Sequence, residues 1–170
     1  MSYNPNWPRW VQASVAVYFK DICDNLGYVS LVEGLDERTT EFIESTDRIE
    51  IRVNGPFTRE MSRGYWYFDV GVNILVFSHM GGSQPNAYLG TEMTGYMAQA
   101  ASDVIPIFKL GNGDEDDQSQ IGCLQVSGQG RKNNDTVKVF HFGEINKEDR
   151  LRQFGVDVNY EMTLYLPYEE

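Results

Sequence analysis

Two histidines are the first side chains in this sequence that could carry out chemistry. His79 and His141 are the only histidines in the 170-residue chain, and an imidazole can take up or release a proton near neutral pH. A catalytic pair would also need a nucleophile, but no Ser or Cys stands in the glycine-flanked turn that typically carries one. A histidine at a strand end and a second one on the polar face of a hairpin account for both positions. The sequence therefore predicts no catalytic residue and a protein that is not an enzyme.

A run of consecutive carboxylates is a second candidate, because hard cations bind to clustered oxygen ligands. The run fails the spacing of a calcium-binding EF-hand, since Ser119 stands at the position of the turn glycine and Gln125 at that of the closing glutamate. We expect a solvated loop, with a contact between subunits as the alternative, and we predict no metal and no other cofactor. The run consists of Asp114, Glu115, Asp116 and Asp117.

Two glycine-containing segments, LGNGDEDD and SGQGRKN, suggest a phosphate-binding loop. Neither lies between a strand and a helix as such a loop requires, and the carboxylates in the first would repel phosphate. The two cysteines, Cys23 and Cys123, are a hundred positions apart and lack metal-ligand spacing. We expect two buried, reduced thiols and a protein made in a reducing cytoplasm.

The composition argues against two classes of partner. Fourteen Lys and Arg against twenty-five Asp and Glu give a net charge of -11, which disfavours binding to a nucleic-acid backbone or to an anionic membrane. No apolar run approaches the roughly 20 residues that a membrane-spanning helix needs, and residues 1–10 lack the layout of a secretion signal. The hydrophobic fraction of 41% is enough for a core, and the length fits one domain spanning residues 1–170.

Hydrophobic periodicity predicts two helices and a set of strands. The predicted helices are Pro8–Leu26 and Asn86–Phe108, and the predicted strands are Tyr28–Val32, Arg48–Asn54, Tyr65–His79, Ile121–Ser127, Thr136–Phe142 and Phe154–Leu166. The two strands joined by the connection Phe57–Gly64 form one predicted hairpin, and the two strands joined by Gly128–Asp135 form a second. Glu33–Asp47 is expected to be an acidic, irregular connection, and Gly143–Arg152 a charged turn. A mostly antiparallel sheet with both helices packed on one face buries every apolar stripe, so the predicted fold class is α+β.

Alternation within the strands assigns side chains to faces. In the strand from Arg48, the isoleucines and Val53 point to the core, and Arg48 and Glu50 point to water. In the next strand Trp66 and Phe68 are core residues, whereas Tyr65 and Tyr67 lie on the opposite face, where exposed tyrosines often mark a protein contact. Trp7 and Trp10, near the first helix, either fix that helix to the body of the protein or bind a neighbour.

The order of these elements resembles that of the tail terminator (tail completion) proteins of long-tailed bacteriophages. The resemblance rests on an opening amphipathic helix (WVQASVAVYFKDICDNLG), a long apolar strand directly before the second helix (YFDVGVNILVFSH, then YLGTEMTGYMAQAASDVI), and a closing pair of strands (VKVFHFGEI, then RLRQFGVDVNYEMTLYL). It covers nearly the whole chain in layout, and the acidic connection at residues 33–47 departs from it. The family has no invariant catalytic or ligand motif, so no residue role can be transferred.

The resemblance implies a structural protein of the virion, assembled in the host cytoplasm and located in the neck of the particle. Such proteins form a six-membered ring that caps the finished tail tube, ends its polymerisation and joins it to the head connector. The implied partners are further copies of the chain, the tail tube protein and the head connector or stopper protein. Genome DNA passes through the ring without specific binding, and no membrane is involved.

Charged and aromatic side chains provide candidate interfaces for such a ring. A ring needs complementary patches on opposite sides of one subunit, and opposite charges would set the register between them. We hypothesise that the acidic loop at 114–117 of one subunit contacts a basic tip of the next, and that the net negative charge lets DNA slide through the bore. The candidate residues outside the acidic loop are Arg59, Arg63, Tyr65, Tyr67, Arg131 and Lys132.

Two alternatives stay open. The chain could be another neck or minor tail component, such as a head–tail joining or stopper protein, which sequence layout separates poorly from a terminator. It could instead be a small α+β enzyme or ligand-binding domain. That alternative requires a pocket with converging polar groups, for example one that holds His79 or His141 beside a carboxylate.

Overall fold

The computed structural model of the chain describes residues 3–33, 47–79, 88–109, 119–128, 137–146 and 151–167. Within these ranges there are two helices and seven strands. In chain order they are α1 (Trp7–Leu26), β1 (Ser30–Val32), β2 (Arg48–Ser62), β3 (Tyr65–His79), α2 (Leu89–Ala101), β4 (Ile105–Phe108), β5 (Gln120–Val126), β6 (Val137–Asn146) and β7 (Leu151–Tyr165).

The strands form one sheet in the order β1-β2-β3-β7-β5-β4, and β6 also pairs with β7. All pairs are antiparallel except β1 with β2. Both helices pack on the face that carries the apolar residues of β3 and β7, including Phe68, Ile74 and Val156. The predicted α+β class, with a mostly antiparallel sheet and helices packed against it, is confirmed.

Helix α1 follows the predicted apolar stripe closely. A proline in the first turn suits its start, because the missing N–H would have no helical partner there. The helix ends at Gly27, whose left-handed backbone (φ 75°) lets its own N–H donate to the carbonyl of Asp24 and the N–H of Tyr28 donate to the carbonyl of Cys23. Trp7 and Trp10 are buried, and the Trp7 ring lies 5.6 Å from the Phe68 ring. These tryptophans therefore fix the helix to the sheet, and the alternative that they bind a neighbour is wrong.

Three hydroxyl groups connect the helices to each other and to the sheet. Tyr18 Oη donates to the carbonyl of Ala100 at 2.9 Å, and Tyr160 Oη donates to the carbonyl of Ala101 at 2.7 Å. Ser14 Oγ accepts the backbone N–H of Phe108 at 3.0 Å. Both tyrosines contact the last turn of α2, where helical carbonyls lack partners within the helix. The end of α2 is thus held by α1 on one side and by β7 on the other.

Removal of the Tyr160 hydroxyl should destabilise the protein and make its free energy of unfolding depend less on pH in the alkaline range. Burial raises the pKa of Tyr160 well above the ordinary tyrosine value of about 10. Folding therefore favours the neutral phenol of Tyr160. Its contribution to the free energy of unfolding is complete below pH 10 and is lost as the pH rises above that value. We expect Tyr160→Phe to cost about 1 to 3 kcal/mol at neutral pH, because the Ala101 carbonyl loses its donor. Urea unfolding of both proteins across the alkaline range should give a shallower fall for the variant; parallel curves would contradict this assignment.

Strand β2 is longer than predicted. The prediction ended it at Gly55 and Pro56 and made Phe57–Gly64 a connection, but β2 continues to Ser62. The pairing with β3 shifts by one residue between Asn54 and Phe57 and then resumes. A bulge accommodates the extra residue, and Gly55 supplies the positive φ (99°) required there. The pair of breaker residues therefore bends the strand without ending it.

The second helix is shorter than predicted. It ends at Ala101, and Ile105–Phe108, which the prediction placed in the helix, forms β4. The residue before a proline is driven away from helical backbone angles, so Pro106 favours an extended Ile105. Ile105 and Ile107 then point into the core, whereas Val104, a member of the predicted stripe, is exposed.

The predicted second hairpin is wrong. Strands β5 and β6 both pair with β7. Strand β5 pairs at Glu161 and Tyr160, and β6 pairs at Val158 and the residues that precede it in β7. Because β3 occupies the other side of β7 along its whole length, β5 and β6 occupy successive parts of one edge. The 15-residue β7 is long enough to pair with both strands in turn. The predicted charged turn is also shorter, since β6 extends to Asn146 and β7 begins at Leu151.

The sheet face away from the helices, here called the outer face, is not uniformly wet. Arg48 and Glu50 were predicted to point to water, but both are buried, and Arg48 Nε lies 3.0 Å from Glu50 Oε1. The Arg48 guanidinium also lies 4.2 Å from the centre of the Phe77 ring. Alternation correctly assigned these residues to the outer face. The apolar Leu75 and Phe77 opposite them had already predicted that this end of β3 is covered on both faces, but the charges of Arg48 and Glu50 were still assigned to water.

Two glycines of α2 provide a matched test of helix packing. A Cβ on Gly90 would collide with the ring of Phe154, whereas a Cβ on Gly95 would meet no atom within 4 Å. We expect Gly90→Ala to destabilise the protein by about 1 to 3 kcal/mol through overpacking. Gly95→Ala should stabilise it by about 0.5 to 1 kcal/mol, because alanine is the better helix former. Thermal unfolding of the two variants would contradict this packing if their melting temperatures moved in the same direction.

Candidate functional site

A row of hydrogen-bonded polar side chains crosses the outer face at its centre. Asn54 Nδ2 donates to Asn73 Oδ1 at 2.7 Å, and Asn73 Nδ2 donates to Asp157 Oδ1 at 2.6 Å. The three residues belong to β2, β3 and β7. Strand register places Asp157 directly opposite Asn73, whereas Asn54 lies opposite Gly71 and reaches Asn73 diagonally. We call Asn54, Asn73 and Asp157 the polar row. Each member fixes the orientation of the next, so the row presents a defined set of oxygen and nitrogen atoms.

A second network lies on the same face around Glu161. Its Oε2 accepts hydrogen bonds from Tyr67 Oη at 3.1 Å and from Ser127 Oγ at 3.2 Å. The Arg59 guanidinium lies 4.9 Å from the centre of the Tyr67 ring. Partial burial, and then the hydrogen bond to Glu161, raise the pKa of Tyr67. Two residues predicted for an interface, Arg59 and Tyr67, are therefore brought together, and the hydrogen bond from Tyr67 to Glu161 was not predicted.

Exposed aromatic and apolar side chains lie at the end of the β2–β3 hairpin. Tyr65 and Tyr165 are neighbours on adjacent strands, with ring centres 4.7 Å apart, and both are exposed. Phe57 and Met61 of β2 are exposed as well. Arg63, a predicted interface residue, is exposed in the turn between β2 and β3. The hairpin end thus combines apolar surface with cationic side chains.

The remaining predicted interface residues lie outside the described residues. They are Asp114, Glu115, Asp116, Asp117, Arg131 and Lys132. The hypothesis that the acidic loop of one subunit contacts a basic tip of the next stays a prediction. Charge reversal at Arg131 and Lys132 should weaken assembly of the chain, and unchanged assembly in an analytical ultracentrifuge would count against the hypothesis.

Among the described strands, two edges on opposite sides of the sheet have no neighbouring strand along part or all of their length, and these are here called the free edges. Strand β6 pairs with β7 on one side, and no described strand pairs with its other side. On the opposite side of the sheet, β1 covers only residues 49–51 of β2 among the described strands, so β2 is uncovered from Phe57 to Ser62. Exposed apolar side chains accompany both edges: Val139 and Phe142 on β6, and Phe57 and Met61 on β2.

The histidines do not form a pair, but one of them has a carboxylate partner. His79 Nδ1 lies 2.9 Å from Asp47 Oδ1, and the same oxygen accepts the backbone N–H of His79 at 2.7 Å. His141 is exposed and contacts the edge of the Phe154 ring. Sequence reasoning missed Asp47 as a partner because it was assigned to the acidic connection. No cluster of three or more metal-binding side chains occurs in the described part of the chain.

The cysteines are free thiols in different surroundings. Cys23 is buried with its Sγ 3.8 Å from Met97 Sδ, and burial raises its pKa to about 11. A thiol with that pKa stays protonated at neutral pH and is a poor nucleophile. Cys123 is half-buried, so the expectation of full burial is correct for Cys23 alone.

Two adjacent grooves open on the outer face. The first has a volume of about 340 Å³ and contains the polar row together with Asp69 and Asn159. The second has a volume of about 280 Å³ and is lined by Thr58, Arg59 and Tyr67. Phe57 borders both grooves, and neither is lined by a histidine.

No known protein-family model matches the chain, and no similar sequence is found among curated proteins. No helix in the described ranges has the length and apolar content needed to cross a membrane. The site is therefore interpreted from its own geometry: two free sheet edges, an aromatic hairpin end and a polar grooved face.

Proposed function

We propose that this protein is a structural component of a bacteriophage neck. It forms a six-membered ring that caps the tail tube, ends tube polymerisation and joins the tube to the head connector. The observation that carries the proposal is the pair of free edges on opposite sides of one sheet. The resemblance in element order supports a ring of the tail-terminator kind.

A strand edge that no other strand covers favours addition of a strand from another chain, because backbone N–H and C=O groups point outward along it. In the proposed ring, β6 of one subunit pairs with the uncovered part of β2 in the next. These two edges are different surfaces on opposite sides of the sheet, so the contact is head-to-tail. A head-to-tail contact repeated by rotation gives a ring when the rotation closes, which the proposal requires after six subunits, and an open filament when it does not.

The exposed side chains support the same arrangement. Val139 and Phe142 on one edge and Met61 on the other would be buried when the edges meet. The aromatic hairpin end, with Tyr65 and Tyr165, is then available for the tail tube or the head connector. The net charge of -11 fits a bore through which DNA slides without adhering.

Another neck component, such as a stopper protein, would use the same edges and differ in its position in the particle. A small enzyme is the alternative that the Asp47–His79 contact favours, since a carboxylate orients a histidine base in many active sites. That contact lies at the end of β3, outside both outer-face grooves. We therefore interpret it as a structural contact between β3 and the residue that precedes β2.

Tail tubes provide the test that separates a terminator from a stopper. Added to tail tube protein during polymerisation, the chain should bind one tube end and yield shorter tubes as its concentration rises. Electron microscopy should show one added ring at that end. A stopper would leave tube length unchanged and bind only after the terminator, and either of those results would overturn the proposal.

A further inference from the structure

The first outer-face groove is built by the local shape of the sheet. Gly71 has no side chain to fill the space between Asn54 on β2 and Asn159 on β7, and a Cβ there would lie 3.3 Å from Asn159 Oδ1. The bulge after Asn54 displaces the next part of β2, so that Phe57 pairs with Asp69 at the border of the groove. The result is a depression of about 340 Å³ in a surface that would otherwise be a flat sheet.

The groove is lined by groups that both donate and accept hydrogen bonds. Asn54, Asn73 and Asn159 contribute three amides, and Asp69 and Asp157 contribute two carboxylates. The hydrogen bonds of the polar row hold three of these planar groups in fixed orientations. Each amide and carboxylate keeps further capacity beyond the row, because an amide has two N–H donors and two oxygen lone pairs. A ligand rich in hydroxyl groups matches this lining, since every hydroxyl is both a donor and an acceptor.

An exposed aromatic ring stands at the border of the groove. The Phe57 side chain is 70% exposed, although it borders an otherwise polar depression. A phenyl face can cover the C–H face of a sugar ring, while the hydroxyl groups of the sugar bond to the amides and carboxylates. The second groove, with Tyr67 and Arg59, continues on the other side of Phe57 and gives space for a second sugar unit.

The charge of the lining disfavours other classes of ligand. Asp69 and Asp157 would repel a phosphate or another anion. A cation is not favoured either, because Lys138 lies opposite Asp157 in the strand register and lines the same groove. An apolar ligand would leave the amides and carboxylates without partners.

We propose that this groove binds a neutral, polyhydroxylated ligand, namely a mono- or disaccharide stacked on Phe57 and hydrogen-bonded to the polar row. This site goes beyond the proposed neck function and does not depend on it, because every residue of the groove belongs to one subunit. The ring contact proposed above uses strand edges, whereas sugar recognition uses the outer face.

The test is a titration of the full-length chain with neutral sugars, followed by ligand-observed NMR. The probes are glucose, galactose, mannose, N-acetylglucosamine and their common disaccharides, with inorganic phosphate and arginine amide as comparison ligands. We expect at least one sugar to bind in the millimolar range and to receive saturation on its C–H face. Phe57→Ala should weaken this binding about tenfold, since a lost aromatic contact is worth roughly 1 kcal/mol.

Two controls distinguish this site from a surface effect. Phe142→Ala removes another exposed phenylalanine, on β6 outside the groove, and should leave sugar binding unchanged. Asp157→Ala removes the carboxylate that accepts from Asn73 and should weaken sugar binding about tenfold, whereas a sugar held by Phe57 alone would bind this variant like the wild type. The proposal is overturned if no sugar in the panel binds, if Phe57→Ala binds as well as the wild type, or if arginine amide or phosphate binds in place of the sugars.

Discussion

The variant Val139→Lys is expected to remain monomeric at concentrations where the wild-type chain forms rings. Val139 lies on the free edge of β6 and is 44% exposed. A lysine on an edge strand opposes strand addition, because its charge would have to be buried in the new pair. We expect the affinity between neighbouring subunits to fall by about tenfold or more, a loss of roughly 1.4 kcal/mol. This loss recurs at every subunit interface of a closed ring. Sedimentation velocity of the two proteins at equal concentration measures the effect.

A matched valine separates the edge from the rest of the surface. Val17 of α1 is 49% exposed, close to the value for Val139, but it lies on a helix away from both sheet edges. Val17→Lys makes the same chemical change and should assemble like the wild type. Equal loss of assembly in the two variants would mean that added charge, and not the β6 edge, is responsible. Normal assembly of Val139→Lys would exclude β6 as the subunit contact.

The variant Arg48→Met is expected to cost about 3 to 5 kcal/mol of unfolding free energy, the largest stability effect that we predict for this chain. The side chains of Arg48 and Glu50 are only 3% and 5% exposed, and their charged groups lie 3.0 Å apart. Methionine fills a similar space but leaves the Glu50 carboxylate buried beside an apolar side chain. The variant also loses the contact between the guanidinium and the Phe77 ring.

A second ion pair, between Arg52 of the same strand and Glu33, which follows β1, provides the control. Arg52 and Glu33 are also 3.0 Å apart, but their side chains are 44% and 56% exposed. Water screens such a pair, so Arg52→Met should cost no more than about 1 kcal/mol. Urea unfolding of both variants gives the comparison directly. Similar urea midpoints for the two variants would show that burial does not determine how much the Arg48–Glu50 pair contributes to stability.

Elements with a continuous periodic pattern were predicted well from the sequence. Helix α1 and strands β3 and β7 each carry an uninterrupted apolar stripe, and their observed bounds lie within three residues of the predicted ones. The failures occurred where a breaker residue and the tertiary context disagree. Gly55 and Pro56 were taken as an end and form a bulge, and Pro106 was expected to end or kink the second helix but lies within β4.

Features that depend on pairing between distant strands could not be derived from local patterns. The shared edge of β7, occupied in turn by β5 and β6, depends on the length of β7 and not on the turn between β5 and β6. For the site, residue type and strand alternation singled out Tyr65, Tyr67, Arg59 and Arg63 as interface candidates, and their role stays a prediction. The polar row and the Tyr67–Glu161 contact were missed. Their signal was present as polar residues at outward positions of β3 and β7, but it becomes a site only once the register of the two strands is known.

The proposed ring requires that copies of the wild-type chain assemble through their surfaces. Native mass spectrometry over a series of micromolar concentrations, with and without tail tubes, measures this. We predict a species with six times the mass of one chain, either free in solution or formed on the tube end. A chain that stays a monomer under both conditions would contradict the proposal.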